Sequence, residues 1–209
     1  TSDHGPIQYD LEASILRMNP DGSDLEVFAT GLRNPYGLAF TPDGDLFTAD
    51  NNPDQLGDTL RYLPPEELNH IKEGLDYGFP HSFGSDIGDD RGEKPVVEFF
   101  PPVAGAGLTY QNSDAFPEEW RGMYVAQWGS AAEVPRDRNI STGHVVVFVR
   151  LEKDEDGNYS GDYQRFARPP WEANFRPVDV AVGPDGALYI AEWLTAQIYR
   201  VSWIGEDVQ

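Results

Sequence analysis

The chain has 209 residues, and 36 acidic residues against 15 basic ones give it a formal net charge of −21. A surface this acidic repels phosphate backbones and anionic lipid, so we expect neither nucleic acid nor a membrane surface as a partner. No apolar run reaches the roughly 18 residues of a membrane-spanning helix, and residues 1–6 lack the pattern of a signal peptide. Cysteine is absent, which excludes disulfides, thiolate catalysis and Cys-ligated zinc.

The charge is carried unevenly, because Asp outnumbers Glu by 21 to 15 and Arg outnumbers Lys by 12 to 3. Lys-poor, Asp-rich surfaces suit proteins that stay soluble in concentrated salt, where ions screen the repulsion between like charges. The composition therefore predicts a halophilic source. The alternative is an ordinary acidic protein with few surface lysines.

Short β-type segments follow one another along the chain, separated by turns that use many of its 21 Gly and 17 Pro. The first six predicted strands are residues 14–19, 25–29, 38–40, 46–49, 67–71 and 96–100. The remaining seven are residues 108–110, 123–127, 144–151, 163–167, 180–182, 188–191 and 197–202. Only residues 64–69 and 117–120 look like one-turn helical starts, since Pro suits the first helical position and acidic residues suit the N-terminal end. The pattern predicts an all-β fold.

The hairpins repeat along the chain. Turns of the form PDG occur within residues 41–44 and 183–186, and the strands preceding them align with a weaker copy at Leu108. Leu38, Leu108 and Val180 are spaced by 70 and 72 residues, and each step holds four strands, which is typical of a propeller blade. Thirteen strands make about three blades, whereas known propellers need roughly 4 to 8. We therefore expect residues 1–209 to form a partial β-propeller, completed by missing N-terminal blades or by a second chain.

Several longer motifs occur in a fixed order. They are GLRNPYGLAF at residues 31–40, DNNP at 50–53, EELN at 66–69, GFP at 78–80, GLTY at 107–110, FPEEWRG at 116–122, RPVDVAVGPDG at 176–186 and AQIYRV at 196–201. Together they resemble the C-terminal half of the six-bladed soluble quinoprotein glucose and sorbosone dehydrogenases. This resemblance implies oxidation of a sugar hydroxyl or aldehyde by hydride transfer to pyrroloquinoline quinone (PQQ), with calcium as a second cofactor. It also implies an extracellular or periplasmic location.

The resemblance further implies roles for individual residues in binding the quinone. Arg33 and Asn34 match the Arg-Asn pair that contacts PQQ in the family, and Arg176 matches the first of two later arginines. Asn51 lies just after the strand predicted at residues 46–49, and we expect it to bind the same cofactor. The planar guanidinium suits this role because it can bind a carboxylate of the quinone in bidentate fashion.

Residues 50–53 match the calcium segment of the family. By resemblance, the main-chain carbonyls of Asn52 and Pro53 bind the ion, and Asp50, Asn51 and Glu67 offer further oxygens of the kind that calcium accepts. A plain turn is the alternative, because loops rich in Asn and Asp are common without any metal.

The sequence also departs from the family pattern. The catalytic histidine of the family belongs to a blade upstream of this sequence, and His4 lies too near the start to match it. Val178 replaces the second later arginine, and the cofactor-binding lysine has no clear counterpart, with Arg136 or Arg138 as candidate substitutes. These departures leave two alternatives open beside the dehydrogenase: a non-catalytic propeller for binding or assembly, and a calcium-dependent lactonase-like hydrolase.

The large aromatic side chains are interpreted as packing residues rather than sugar platforms, because large aromatics dominate buried area. This interpretation covers Trp120, Trp128, Trp171, Trp193 and Trp203. The acidic run at residues 152–158 is interpreted as the solvated tip of a hairpin.

Overall fold

The computed structural model describes residues 11–53, 63–100, 102–129, 143–168 and 175–205. Within these ranges the chain forms antiparallel β-strands, and the only helical element is a 3-10 turn at Glu118–Trp120, where a helical start was predicted. The prediction of an all-β fold is confirmed. No helix formed by these residues is long and apolar enough to cross a bilayer.

All thirteen predicted strands are present. The first eight strands are β1 (Ser14–Arg17), β2 (Glu26–Thr30), β3 (Pro35–Phe40), β4 (Leu46–Asp50), β5 (Glu66–Ile71), β6 (Ser82–Phe83), β7 (Ile87–Gly88) and β8 (Val97–Phe99). The others are β9 (Gly105–Gln111), β10 (Gly122–Gln127), β11 (Val145–Lys153), β12 (Tyr159–Ala167), β13 (Pro177–Val182), β14 (Leu188–Glu192) and β15 (Gln197–Val201). The additional pair, β6 and β7, is a two-residue hairpin within the connection from β5 to β8.

The prediction of a helical start at residues 64–69 is wrong, because Glu66–Ile71 form strand β5. This strand pairs with β4 on one side and β8 on the other, and five of its six residues are buried. The Pro and Glu residues here carry only a local preference, and pairing and burial in the middle of a sheet outweigh it.

The strands form successive sheets in the order expected of propeller blades. The first blade is β3-β4-β5-β8, the second is β9-β10-β11-β12, and the third has the three strands β13-β14-β15. The hairpin β1-β2 is a separate two-stranded sheet that precedes the first blade. Together with the structural likeness reported below, this arrangement confirms a partial β-propeller.

Apolar side chains between adjacent sheets form the core. One cluster, which includes Phe47 and Met123, joins the first blade to the second, and another, which includes Phe148 and Leu188, joins the second to the third. A third cluster packs the β1-β2 hairpin, through Ile15, against the first blade. Adjacent blades therefore bury the apolar side chains on the faces that they turn toward each other.

Glycine determines the geometry at two kinds of position. Gly44 and Gly186 close two of the three PDG turns with φ of +90° and +75°, a region that favours glycine, and this confirms both hairpins predicted there. On the first strand of the second blade, a Cβ at Gly107 would collide with Asp179 of the third blade. The absence of a side chain there lets the first strands of neighbouring blades lie close together.

Candidate functional site

A cleft of about 400 Å³ opens where the first and second blades meet the third. Its polar lining includes Arg33, Asn34, Asn51 and Glu66. The structure therefore brings three of the four predicted cofactor-binding residues into one cavity. The fourth, Arg176, lies beside the cleft, in contact with the Trp128 side chain that lines it.

The loop before β3 holds Arg33 in place. Asp50, the last residue of β4, accepts hydrogen bonds from the backbone N–H groups of Arg33 (2.9 Å) and Asn34 (2.6 Å). The Arg33 guanidinium donates through Nη1 to the carbonyl oxygens of Asn51 (2.7 Å) and Asn52 (3.0 Å). The side chain is thus tied to the end of the neighbouring strand and presents a fixed positive charge to the cleft.

Arg176 is held by the same kind of arrangement in the third blade. Glu192, the last residue of β14, accepts the Arg176 backbone N–H at 2.9 Å. The guanidinium donates through Nη1 to the carbonyls of Trp128 (3.2 Å) and Gly129 (3.0 Å), which follow the second strand of the preceding blade. Its Cζ lies 4.0 Å from the centroid of the Trp128 ring, a cation-π contact. Burial lowers the pKa of Arg176, although an arginine remains charged at any physiological pH.

Three carboxyl groups lie buried around Arg33. Burial raises the pKa of Asp50 to about 7, with a further contribution from Glu67, and burial raises the pKa of Glu66 to about 8. The pKa of Glu67 is also raised by burial. A raised pKa means that protonation is favoured, so the cleft carries less negative charge near neutral pH than its residue types suggest. Glu66, which lines the cleft, was not singled out by sequence reasoning, because nothing local in the sequence reports its burial.

The residues predicted to hold calcium do not fit that ion in this arrangement. Asp50 is occupied by the two N–H groups described above, and the Asn52 carbonyl accepts the guanidinium of Arg33, a cation where calcium was expected. The Asn52 amide donates to the Pro65 carbonyl and to Glu67. The carboxylate of Glu67 accepts N–H groups of Asn52, Asn69 and Gly84. Pro53 is buried, and over the residues that the structure describes no cluster of three His, Asp or Glu side chains could hold a metal ion.

Asn51 presents an unsatisfied acceptor in the cleft wall. Its amide nitrogen donates to the Gly105 carbonyl at 2.7 Å, which fixes the orientation of the amide. The Oδ1 atom is buried and has no hydrogen-bond partner within the described ranges. A buried polar atom without a partner is costly, so this atom fits a ligand that brings an N–H or O–H donor.

The apolar lining of the cleft comes from Tyr36, Trp128, Val178 and Trp193. The two indole rings lie with centroids 5.9 Å apart, and Trp193 is 61% exposed. Val178 contributes an apolar side chain where the family pattern has its second arginine. Over the described part of the chain, the cleft therefore combines one fixed cation, one acceptor without a partner and an aromatic wall.

The packing interpretation holds for some tryptophans and fails for others. Trp120 packs against the buried cluster of the second and third blades, as predicted. Trp193 and Trp203 are 61% and 44% exposed, so the core interpretation is wrong for both. A positional signal was present in the sequence, since Trp128 and Trp193 each follow directly on the second strand of a blade. Trp171, His4, Arg136 and Arg138 lie outside the described residues.

Comparison with known proteins gives curated relatives that are longer than this chain. An uncharacterized protein of Borreliella burgdorferi is 28% identical over 205 residues, which are 91% of this chain and 52% of that protein. Aldose sugar dehydrogenase YliI of Escherichia coli is 26% identical over 182 residues, 81% of this chain and 41% of the relative. The chain spans about half the length of the curated relatives it matches.

Solved structures of the same kind share the fold. A glucose dehydrogenase-type oxidoreductase from Thermus thermophilus superposes with a TM-score of 0.61 at 26% identity, covering 85% of this chain and 48% of that one. The PQQ-bound aldose sugar dehydrogenase of Streptomyces coelicolor superposes with a TM-score of 0.57 at 23% identity, covering 85% and 45%. Residues 7–200 match the family model described as glucose / sorbosone dehydrogenase, and the chain therefore belongs to the glucose/sorbosone dehydrogenase family.

Proposed function

We propose that this chain is the quinone-binding part of a PQQ-dependent aldose or sorbosone dehydrogenase. The observation that carries the proposal is the cleft in which Arg33, Asn34 and Asn51 meet an aromatic wall. A cavity of about 400 Å³ that combines convergent polar groups with aromatic side chains is typical of a site for a small ligand. Family membership and the PQQ-bound structural relative support the choice of this quinone.

The residues present suit such a ligand. Arg33 supplies a positive charge for a carboxylate, and it is held in place before the ligand arrives. Asn51 lines the cleft with an Oδ1 that has no hydrogen-bond partner among the described residues, and this atom would accept an N–H or O–H donor of the ligand. The rings of Trp128 and Trp193 line the apolar side of the cleft. PQQ, when bound, supplies the oxidant that takes hydride from a sugar hydroxyl or aldehyde carbon. Calcium has no part in this account, because its predicted ligands are engaged with other donors.

We propose that the proton acceptor for the sugar hydroxyl is supplied by the blades that complete the ring.

On the first blade, the side chains of Tyr36, Leu38 and Phe40 are 61%, 53% and 64% exposed. Phe40 is paired across the sheet with Leu46, so the two side chains lie on the same face. The β1-β2 hairpin packs against Leu46 and leaves Tyr36, Leu38 and Phe40 exposed. An apolar face that is half covered supports completion by further strands, supplied either by the same polypeptide or by a second chain.

We also propose an extracellular or periplasmic location, as in the family.

The direct test is to add PQQ to the protein, with and without calcium, and to measure quinone binding by calorimetry and dye reduction with aldoses. Arg33→Gln should weaken PQQ binding at least tenfold, as expected when a hydrogen-bonded charge worth about 1.5–3 kcal/mol is removed. Arg200→Gln is the matched control, because Arg200 is exposed and paired with Asp185, away from the cleft. Absence of any PQQ binding by the wild-type protein would overturn the proposal.

The second candidate function is a non-catalytic propeller for binding or assembly. Val178 in place of an arginine and the engaged calcium-segment residues favour it. Under this alternative, quinone binding is absent and a partner is retained on the exposed face of β3. No specific observation favours the lactonase-like alternative.

A further inference from the structure

Trp193 combines high exposure with tight restraint. Its side chain is 61% exposed, although an indole usually gains stability from burial. Its backbone N–H donates to the Arg176 carbonyl at 3.0 Å. The two following residues are tied to the buried Glu192 carboxylate, through Leu194 N (3.0 Å), Thr195 N (2.6 Å) and Thr195 Oγ1 (2.5 Å). The chain therefore fixes the backbone that carries this ring without burying the ring, which is how binding residues are preorganised.

Trp193 does not stand alone in the cleft. Its ring lies against Trp128, and the guanidinium of Arg176 lies over the Trp128 ring at a centroid distance of 4.0 Å. The backbone carbonyls of Trp128 and Gly129 hold that guanidinium in turn. Arg176, Trp128 and Trp193 thus form a continuous series of contacts that ends in an exposed indole at the cleft.

The chemistry of this series indicates the kind of ligand it suits. Exposed aromatic faces bind either the C–H face of a sugar or a planar conjugated ring. A neutral sugar gains little from the positive charges of Arg33 and Arg176, whereas a conjugated ring that carries carboxylates gains from both the charges and the stacking. The combination of cations and indoles around one cavity therefore favours the conjugated acid.

We propose that Trp193, supported by Trp128 and Arg176, is the stacking wall against which the planar ring of the quinone binds. This inference rests on the proposed function and adds to it a residue that sets the affinity for the cofactor. Glu192 acts as a positioning residue, because it holds the loop that carries the indole.

The experiment is a titration of the protein with PQQ, followed by calorimetry and by quenching of tryptophan emission. Trp193→Leu should raise the Kd about tenfold, the equivalent of roughly 1.4 kcal/mol of lost stacking, and Trp193→Phe should restore most of the affinity. Trp203→Leu is the matched control, since Trp203 is also exposed but does not line the cleft. Because Trp193 is largely exposed, neither of its two substitutions should shift the urea midpoint of unfolding.

The outcomes separate this inference from the proposed function. If the wild type binds PQQ and Trp193→Leu binds it equally well, the stacking wall is wrong while the proposed function stands. If Trp193→Leu loses affinity for glucose but keeps its affinity for PQQ, the wall serves the sugar and the inference is overturned. If the wild type binds no PQQ, both are overturned.

Discussion

Replacing Glu192 by Ala should destabilise the third blade and release the loop that carries Trp193. The carboxylate accepts four hydrogen bonds, from Arg176 N, Leu194 N, Thr195 N and Thr195 Oγ1. Hydrogen bonds to a charged group are each worth about 1.5–3 kcal/mol, but the donors of the exposed loop regain water when the acceptor is lost. The partly buried N–H of Arg176 recovers the least hydrogen bonding to water. We therefore expect a loss of about 3–5 kcal/mol in the free energy of unfolding, less than the simple sum of four bonds.

Urea denaturation measures this change, and for a chain of this size each kcal/mol lowers the Tm by about 2–4 °C. Glu192→Gln should lose roughly half as much, because one carboxylate oxygen becomes an NH₂ group that faces N–H donors. Glu152→Ala is the matched control, since Glu152 is exposed near the end of β11 and should change stability by less than about 0.5 kcal/mol. A loss below about 1 kcal/mol in Glu192→Ala would refute the view that this carboxylate holds the loop. Quinone affinity should fall in the same variant, because the indole is no longer positioned.

Three further outcomes are expected. Burial raises the pKa of Asp50 to about 7 and that of Glu66 to about 8, so the folded chain binds more protons than the unfolded one and stability should rise as the pH falls from about 8 to 5. The lowered pKa values of His70 and His144 oppose this rise, so Gln at both positions should steepen it in urea titrations. Gly107→Ala should cost about 1–3 kcal/mol, because its Cβ meets Asp179, and an unchanged urea midpoint would contradict the close packing of the first strands. With a net charge of −21, the Tm should rise by about 5 °C or more between 0.1 M and 2 M NaCl, and a flat Tm counts against a halophilic source.

The sequence predicted the strands well because their limits are local. Pro and Gly flank many of the apolar segments, and the spacing of 70 and 72 residues places equivalent strands in successive blades. The helical start predicted at residues 64–69 failed, since local preference there opposes a strand that pairs on both sides. The strand predicted at residues 67–71 is present in the same segment, so the strand pattern outweighed the helical signal of Pro64, Pro65 and the two Glu residues.

The site was predictable only where its contacts are short in sequence or carried by the family motif. Arg33 meets residues 51 and 52 across one hairpin, which the resemblance and the strand order both indicate. Arg176 reaches Trp128, 48 residues earlier, and this contact depends on how two blades pack. The exposure of Trp193 likewise depends on packing, because the residue type alone favours burial.

The last residue of the second strand in each blade is related to the positions of Arg33 and Arg176. Asp50, Gln127 and Glu192 occupy equivalent positions, each paired with the first residue of the neighbouring strand β3, β9 or β13. The acidic members accompany Arg33 and Arg176, and the neutral Gln127 belongs to the blade in which Val103 and Ala104 take the corresponding positions.

Each arginine beside the cleft is thus supplied together with an acidic residue that holds its backbone, and the charge of Glu192, whose pKa is lowered, against the effect of burial, by its hydrogen bonds, offsets that of Arg176. An anionic ligand then gains less from charge alone than two arginines suggest. Affinity must come in larger part from Asn51 and from the aromatic wall, which is why we expect the Trp193 variant to be as damaging to quinone binding as the loss of a guanidinium.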